Sequence, residues 1–185
     1  MKKMSFLFAV CSVLYLSIMA SGCSKDLNYV KACEEKDWAK AYAIVDDLRE
    51  DYEELKEDYS YYSHSSDVSD MRKSKELDEK CDHARAKYHE AKKYVVFHEA
   101  MYVLEENGEN GLLRIAGIIK EHNAKWLYRE LIDVARKTSN KDLEEKLIEM
   151  EYIEIEAENP GFKDLPEDEK EEGRHRCEDG WDVFS

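Results

Sequence analysis

Two long stretches of the chain carry mostly apolar side chains at alternating intervals of three and four residues. The first series is Trp38, Ala41, Val45, Leu48, Tyr52, Leu55, Tyr59 and Tyr62. The second series is Leu77, Cys81, Ala84, Tyr88, Ala91, Val95, His98 and Tyr102. Such spacing places each series along one face of an α-helix, and it is the spacing at which helices pack in coiled coils. No glycine or proline occurs between Cys23 and Asn107, so no helix breaker interrupts either series.

A polar segment, residues 63–70, separates the two series and is rich in serine and aspartate, which are poor helix formers. We therefore predict that the chain reverses there and that the two helices pack antiparallel. In the predicted register Tyr52 lies opposite Ala84 and Trp38 lies opposite His98, so that large side chains meet smaller ones. A heptad pattern also permits the same faces to pair between two chains, and the sequence leaves this alternative open.

Shorter amphipathic helices are predicted within about residues 111–155, after a segment with asparagine and glycine at 107–111 that ends the long helix. An acidic, loosely ordered tail is predicted for residues 158–185, which contain both prolines of the chain. The predicted fold class is therefore all-α: an antiparallel coiled-coil-like helical hairpin over about residues 38–106, a small C-terminal helical subdomain and an acidic tail. Residues 23–157 are treated as one helical domain.

Two polar residues are predicted to cap helices at their N-termini. Asp37 precedes the first long helix, and Ser139 precedes the last short one. Aspartate and serine side chains accept hydrogen bonds from the free backbone N–H groups of a first helical turn. A break between two short helices is predicted near Asn123.

The start of the chain has the composition of an export signal. Lys2 and Lys3 precede an apolar run over residues 6–19, and three small residues, 20–22, follow it directly before Cys23. The apolar run is shorter than the roughly 20 residues that a permanent membrane-spanning helix needs. We therefore predict that residues 1–22 are a signal peptide that is removed.

This order of residues resembles the bacterial lipoprotein signal, in which small residues precede a lipidated cysteine; Ala20 stands where that family usually has leucine. The resemblance implies cleavage before Cys23, a diacylglyceryl thioether on its sulfur and a further acyl chain such as palmitate on the new amine. Residues 24–26, Ser-Lys-Asp, resemble the export tag of surface lipoproteins in Bacteroidetes, which implies an outer-membrane lipoprotein on the periplasmic side or the cell surface. The alternative is a plain secreted protein in which Cys23 is an incidental thiol.

The charge of the chain is strongly negative. It has 28 basic and 43 acidic residues and a net charge of −15, and loss of residues 1–22 removes two lysines and makes the charge more negative by two, to −17. Such a charge repels nucleic acids and anionic lipid surfaces and favours basic partners. We therefore predict that the protein does not bind nucleic acids and that it attaches to the membrane through the lipid on Cys23. We also predict a protein partner, which would be basic if electrostatic attraction drives its association.

The sequence carries no recognisable catalytic or metal-binding motif. His98-Glu99 begins like a zinc-protease helix, but Tyr102 stands where that motif requires its second histidine. Cys81, His83 and His89 cannot ligate one metal together, because helix positions two apart point in different directions. We predict no catalytic residue, no metal and no cofactor.

Cysteine geometry limits the disulfides. In the predicted hairpin Cys33 and Cys81 lie about 33 Å apart along the helix axis at about 1.5 Å per residue. A disulfide needs α-carbons within about 7 Å. A bridge between them is therefore excluded, and Cys81 is interpreted as a small apolar core residue. A bridge from Cys33 to Cys177 is left open.

Four residues are candidate partner contacts. Tyr61 and His64 lie in the tyrosine- and serine-rich segment before the chain reversal, where tyrosines beside small polar residues are typical of binding surfaces. The simpler interpretation is that Tyr59 and Tyr62 continue the apolar series and leave Tyr61 alone exposed. Trp181 and Phe184 end the acidic tail, either as a short linear motif for a partner or packed onto the protein's own helices.

Three functions follow from these features. The first is a lipid-anchored envelope protein whose helical hairpin is a protein-interaction module. The second is an acidic inhibitor or immunity-type lipoprotein that blocks a cationic toxin or hydrolase. The third, an enzyme, would need a polar site assembled from scattered residues such as His98, Glu99 and His122, and we predict that the protein is not an enzyme.

Overall fold

A computed structural model describes residues 28–64, 67–164 and 166, and these residues include no strand. The all-α fold class is confirmed. The helices are α1 (Asn28–Glu34), α2 (Trp38–Ser63), α3 (Val68–Asn107), α4 (Leu112–Glu121), α5 (Leu127–Lys137) and α6 (Lys141–Glu158), with 3-10 helices at Gly108–Gly111 and Phe162–Asp164. The chain divides into two compact units between Glu105 and Glu106, whereas the sequence analysis treated residues 23–157 as one domain.

Of the two predicted N-caps, the structure confirms the one at α2 and replaces the one at α6 by the next residue. The Asp37 side chain accepts a hydrogen bond from the Lys40 backbone N–H at 3.1 Å and caps α2. At α6 the cap is Asn140, which accepts from the backbone N–H of the third helical residue, and not Ser139. Ser139 has φ +56°. It occupies the left-handed position that turns the chain between α5 and α6. The next residue, Asn140, is therefore the N-cap of α6.

The first unit has its core where three helices meet. Buried side chains from α1, α2 and α3 form this base core: Tyr29, Ala32, Cys33, Ala41, Val45, Ala91, Tyr94 and Val95. The Tyr29 and Tyr94 rings meet edge to face, with centroids 5.5 Å apart. The base core therefore joins the short α1 to the beginning of α2 and the C-terminal half of α3.

Contacts between α2 and α3 run in opposite directions along the two helices. At the start of α2 the Trp38 ring lies 5.8 Å from the Tyr102 ring, and at its end the Tyr62 ring lies 3.8 Å from the Lys73 ammonium. Beyond the base core, residues 46–63 and 68–90 make up a segment that we call the arm. Within the arm Leu77 is the one buried side chain, and the rest of the apolar series is half-buried.

Two ring contacts between α2 and α3 join residues that lie four positions from the predicted partners, whereas the base core contains the predicted pair Val45 and Ala91. Trp38 meets Tyr102 where His98 was predicted, and Tyr52 stacks on Tyr88, with centroids 6.5 Å apart and planes 8° from parallel, four residues beyond its predicted partner. Sliding α3 by four residues, about 6 Å, brings an equivalent apolar series into contact, so the spacing alone fits both registers. Aromatic rings meet at these two contacts, whereas the prediction favoured large-to-small matching.

The second unit is built around fully buried aliphatic side chains of α4, α5 and α6: Ile115, Ile119, Leu127, Leu131, Ile132 and Leu147. Asn123 has φ +47° and lies at the predicted break between α4 and α5. The helices α5 and α6 pack against each other along their length.

The beginning of the predicted acidic tail is folded. Helix α6 continues to Glu158, one residue past the predicted boundary. Gly161, with φ +97°, then turns the chain, and the buried Phe162 ring meets the Tyr152 ring of α6 at 5.9 Å. An aromatic residue near a helix end therefore holds residues 158–164 onto α6, where the composition of the segment had predicted loose order. The remainder of the tail, apart from Pro166, lies outside the described residues.

Candidate functional site

Two of the five predicted site residues are described by the structure. Tyr61 and His64 lie at the end of α2. Cys23, Trp181 and Phe184 lie outside the described residues, as do the predicted signal peptide and Cys177. The predictions for those positions remain predictions.

Exposed apolar side chains lie on both sides of the chain reversal. The relative exposure is 77% for Tyr61 at the end of α2, and 68% for Val68 and 60% for Met71 at the start of α3. We call residues 59–64 and 67–73 the tip. Exposed apolar residues are ordinary when scattered singly, but here they occupy the end of α2 and the start of α3.

Sequence reasoning identified one of these three residues. The exposure of Tyr61 agrees with the prediction, because Tyr59 and Tyr62 are half-buried and continue the apolar series. Val68 and Met71 were missed. Both are apolar residues next to the serine-rich reversal that belong to neither series, and this departure from the spacing is the signal that could have identified them.

Local polar contacts order the two helix ends of the tip. The Lys73 ammonium lies over the Tyr62 ring, and a hydrogen bond with Tyr62 raises the pKa of this lysine. Asp67 accepts hydrogen bonds from the Ser69 backbone N–H at 2.8 Å and from the Ser69 hydroxyl at 2.7 Å, and these bonds lower the pKa of its carboxyl. The exposed apolar side chains of the tip are therefore presented on fixed helix ends.

His64 has a structural contact at the end of α2. Its Nδ1 donates a hydrogen bond to the Ser60 carbonyl oxygen at 2.8 Å, in the tautomer that carries the proton there. The last carbonyls of a helix lack partners within the helix, so this bond satisfies one of them. The hydrogen bond to Ser60 therefore sets the orientation of the His64 ring that a partner would contact.

A buried carboxylate lies at the base of the first unit. Glu99 on α3 is 8% exposed, and its Oε2 accepts a hydrogen bond of 2.7 Å from the Tyr42 hydroxyl on α2. A buried carboxylate costs free energy unless it has such partners. The apolar series passes through the neighbouring His98, so the heptad spacing gave no indication that Glu99 points inward.

The cysteines of the described residues are thiols. Cys33 is buried and Cys81 half-buried, and both are free. Burial, together with the nearby Glu99 and Glu34 carboxylates, raises the pKa of the Cys33 thiol to about 12. Because the thiolate is the nucleophilic form, Cys33 is unreactive at neutral pH.

His98 packs against its own helix. Its ring stacks on the Tyr94 ring with centroids 3.9 Å apart, and Nδ1 donates to the Tyr94 carbonyl oxygen at 2.8 Å. Trp38, the predicted neighbour of His98, has its ring against Tyr102, one helical turn further along α3. Burial lowers the pKa of His98, so the folded protein favours the neutral ring.

The lowered pKa of His98 predicts a loss of stability in mild acid. The unfolded chain binds the proton more tightly than the folded chain, so the stabilisation is complete above the ordinary histidine pKa of 6.5 and is lost as the pH falls through the lower pKa of the folded state. We expect the midpoint of urea unfolding to decrease below pH 6.5, and we expect His98→Phe, which keeps a ring beside Tyr94 but cannot titrate, to reduce that decrease.

Equal pH dependence in wild type and His98→Phe would show that His98 does not contribute to it.

Two of the polar residues that an enzyme would need have structural partners within the first unit. His98 faces Tyr94, and Glu99 faces Tyr42. His122 belongs to the other compact unit. Among residues 28–64, 67–164 and 166, no group of three or more histidine, cysteine or carboxylate side chains is placed to hold a metal ion.

Within the part of the chain that the structure describes, no helix combines the length and apolar character needed to cross a membrane. Comparison with known proteins gives no relatives: no family model, no curated protein and no solved structure matches this chain.

Proposed function

We propose that this protein is a lipid-anchored helical interaction module of the bacterial cell envelope. Cys23 carries the lipid, and the tip of the α2–α3 pair contacts a protein partner. The proposal places the protein in the outer membrane and assigns it no catalytic activity. The protein would act by holding its partner at the membrane surface.

The exposure of the tip supports this proposal. Tyr61, Val68 and Met71 are large apolar side chains that water contacts freely, although the rest of the chain is rich in charge. Their exposure has an unfavourable hydration free energy that binding a partner would recover. Tyrosine and methionine are also residues that suit adaptable contact surfaces.

The envelope location rests on residues 1–26. Their order of two lysines, a short apolar run, small residues and Cys23 resembles the lipoprotein signal. More than one acyl chain on Cys23 would give stable anchoring, whereas a single chain gives only marginal binding.

A second candidate function is an acidic inhibitor or immunity-type lipoprotein. The exposed carboxylates of Asp51, Glu54 and Asp58 along one side of α2 favour it. Such a surface would steer a cationic toxin or hydrolase, and the association would weaken steeply with added salt. A partner held mainly by the apolar tip would depend little on salt.

Substitution of the tip tests the interaction module. We expect the double variant Tyr61→Ala, Met71→Ala to reduce recovery of the partner by about tenfold or more, because apolar anchors contribute most of the binding free energy at such surfaces. The measurement is affinity purification of the tagged full chain from envelopes at low and high salt, with the retained protein identified by mass spectrometry and quantified.

Leu113→Ala is the matched control, because Leu113 is an equally exposed apolar residue of the second unit. It should leave recovery of the partner unchanged, and circular dichroism should show equal helix content in all variants. Undiminished recovery with the tip variant would exclude the tip as the binding surface. A strong loss of recovery at high salt with the wild-type chain would favour the acidic inhibitor instead.

A further inference from the structure

A groove with a volume of about 520 Å³ lies between α2 and α3 in the arm. Leu48, Leu55 and Ala84 form its apolar floor, and each is only half-buried. The groove extends over eleven residues of α2, from Leu48 to Asp58, which is about 15 Å or roughly three helical turns. A pair of helices leaves such a face partly in water, and four-helix bundles bury it by adding a second pair.

One side of the groove carries three carboxylates, and the other carries two lysines with His83 between them. Asp51, Glu54 and Asp58 line the α2 side, and Lys80, His83 and Lys87 line the α3 side. Both sets follow the spacing i, i+3, i+7, which places each set in one row along its helix. We call these rows the acidic row and the basic row. Lys80 also pairs with Glu76 on its own helix at 2.7 Å, which keeps its ammonium at the surface of α3.

We propose that this groove is the interface of a homodimer in which two copies of the chain pack arm against arm with their tips at the same end. A two-fold axis parallel to the helices places α2 of each copy against α3 of the other. The acidic row of each copy then meets the basic row of the other, twice in every dimer. A two-fold axis across the helices would instead place acidic row on acidic row, so the charges select the parallel arrangement.

The dimer joins the two apolar floors into one core. Leu48 and Leu55 of each copy would face α3 of the second copy, where Ala84 lies, and would lose their contact with water. The net charge of −15 opposes association, but at physiological ionic strength interactions beyond about 8 Å are largely screened. The paired rows would lie within that distance. The proposal stands on the groove alone and does not depend on the proposed function of the tip.

Reversal of each row tests the proposal. Variant A is Asp51→Lys with Asp58→Lys, which makes both rows basic, and variant B is Lys80→Glu with Lys87→Glu, which makes both rows acidic. Light scattering coupled to size-exclusion chromatography of the purified full chain in non-ionic detergent measures the molecular mass. We expect the mass of two chains for the wild type and of one chain for A or B alone, with association weakened by about tenfold or more. An equal mixture of A and B should form the dimer again, because opposite rows then meet in both places.

The matched control is Glu50→Lys with Glu57→Lys, which makes the same change in charge on exposed residues of α2 outside the groove. It should leave the dimer intact. The recovery of dimer in the mixture also shows that A and B are folded. The proposal is overturned by a wild-type chain that is a monomer at every concentration, by a dimer that persists in A and B, or by a mixture that stays monomeric. A monomer whose tip still binds a partner would overturn the dimer and leave the proposed function intact.

Discussion

Replacing Val45 by aspartate should destabilise the first unit by at least about 3 kcal/mol, because the new carboxylate would be buried without a partner. Val45 is 5% exposed and belongs to the base core, together with Ala91 and Val95 of α3. Native domains have a free energy of unfolding of only about 5–15 kcal/mol, so this is a large fraction of the total. Urea unfolding followed by far-ultraviolet circular dichroism measures the change.

The control is Val68→Asp, which introduces the same side chain at a position that is 68% exposed. It should change the free energy of unfolding by less than about 0.5 kcal/mol. Amide hydrogen exchange gives a second measurement: Val45→Asp should speed exchange in α1 and around Ala91, where the base core holds the helices together. Equal unfolding midpoints for the two variants would contradict the packing of α2 against α3 in the base core.

Replacing Cys23 by serine should abolish lipid attachment, because serine offers no thiol for the thioether. On the proposed lipid attachment at Cys23 we expect complete loss of radiolabelled palmitate incorporation. Each buried methylene of an acyl chain contributes about 0.8 kcal/mol to membrane binding, so the variant would lack the main term of the proposed anchor. Labelling of cells that express the full chain, followed by electrophoresis of the purified protein, measures the effect.

Cys81→Ser is the matched control, because Cys81 is a half-buried free thiol within the arm. This variant should incorporate palmitate like the wild type and should be processed to the same length. Labelling that survives in Cys23→Ser would mean that another residue carries the lipid or that residues 1–26 are not a lipoprotein signal. Either result would remove the basis for the envelope location.

Local sequence features predicted the helices of the first unit well. The polar segment at 63–70 predicted the reversal, and the structure ends α2 at Ser63 and starts α3 at Val68. Asp37 was predicted as the cap of α2 from its residue type and position, and it is the cap. These features depend on neighbours within a few residues, so the sequence contains the information directly.

Features that depend on distant contacts were predicted less well. The aromatic partners of Trp38 and Tyr52 on α3 lie four residues from the predicted ones, because a heptad repeat presents equivalent positions at every turn. The order of residues 158–164 was missed, because it depends on Phe162 reaching Tyr152 on α6. The inward Glu99 was missed because its position became clear only with its hydrogen-bond partner, Tyr42, on another helix.

The same distinction applies to the candidate surfaces. The sequence suggested Tyr61 because it stands outside the apolar series, and the structure adds Val68 and Met71 across the turn. The acidic and basic rows were visible in the sequence only as ordinary charged helix positions. Their relation became apparent when the pairing of α2 with α3 placed them on the two sides of one groove.

The sequence by itself determined that the chain is helical, where the long helices begin and end, and how strongly negative it is, because helix propensity, capping and charge are local or additive properties. The tertiary structure decided which turn of α2 meets which turn of α3, which polar side chains are buried, and which apolar and charged side chains share a surface. These depend on contacts between residues far apart in the chain, where several arrangements satisfy the same periodic pattern and packing selects one.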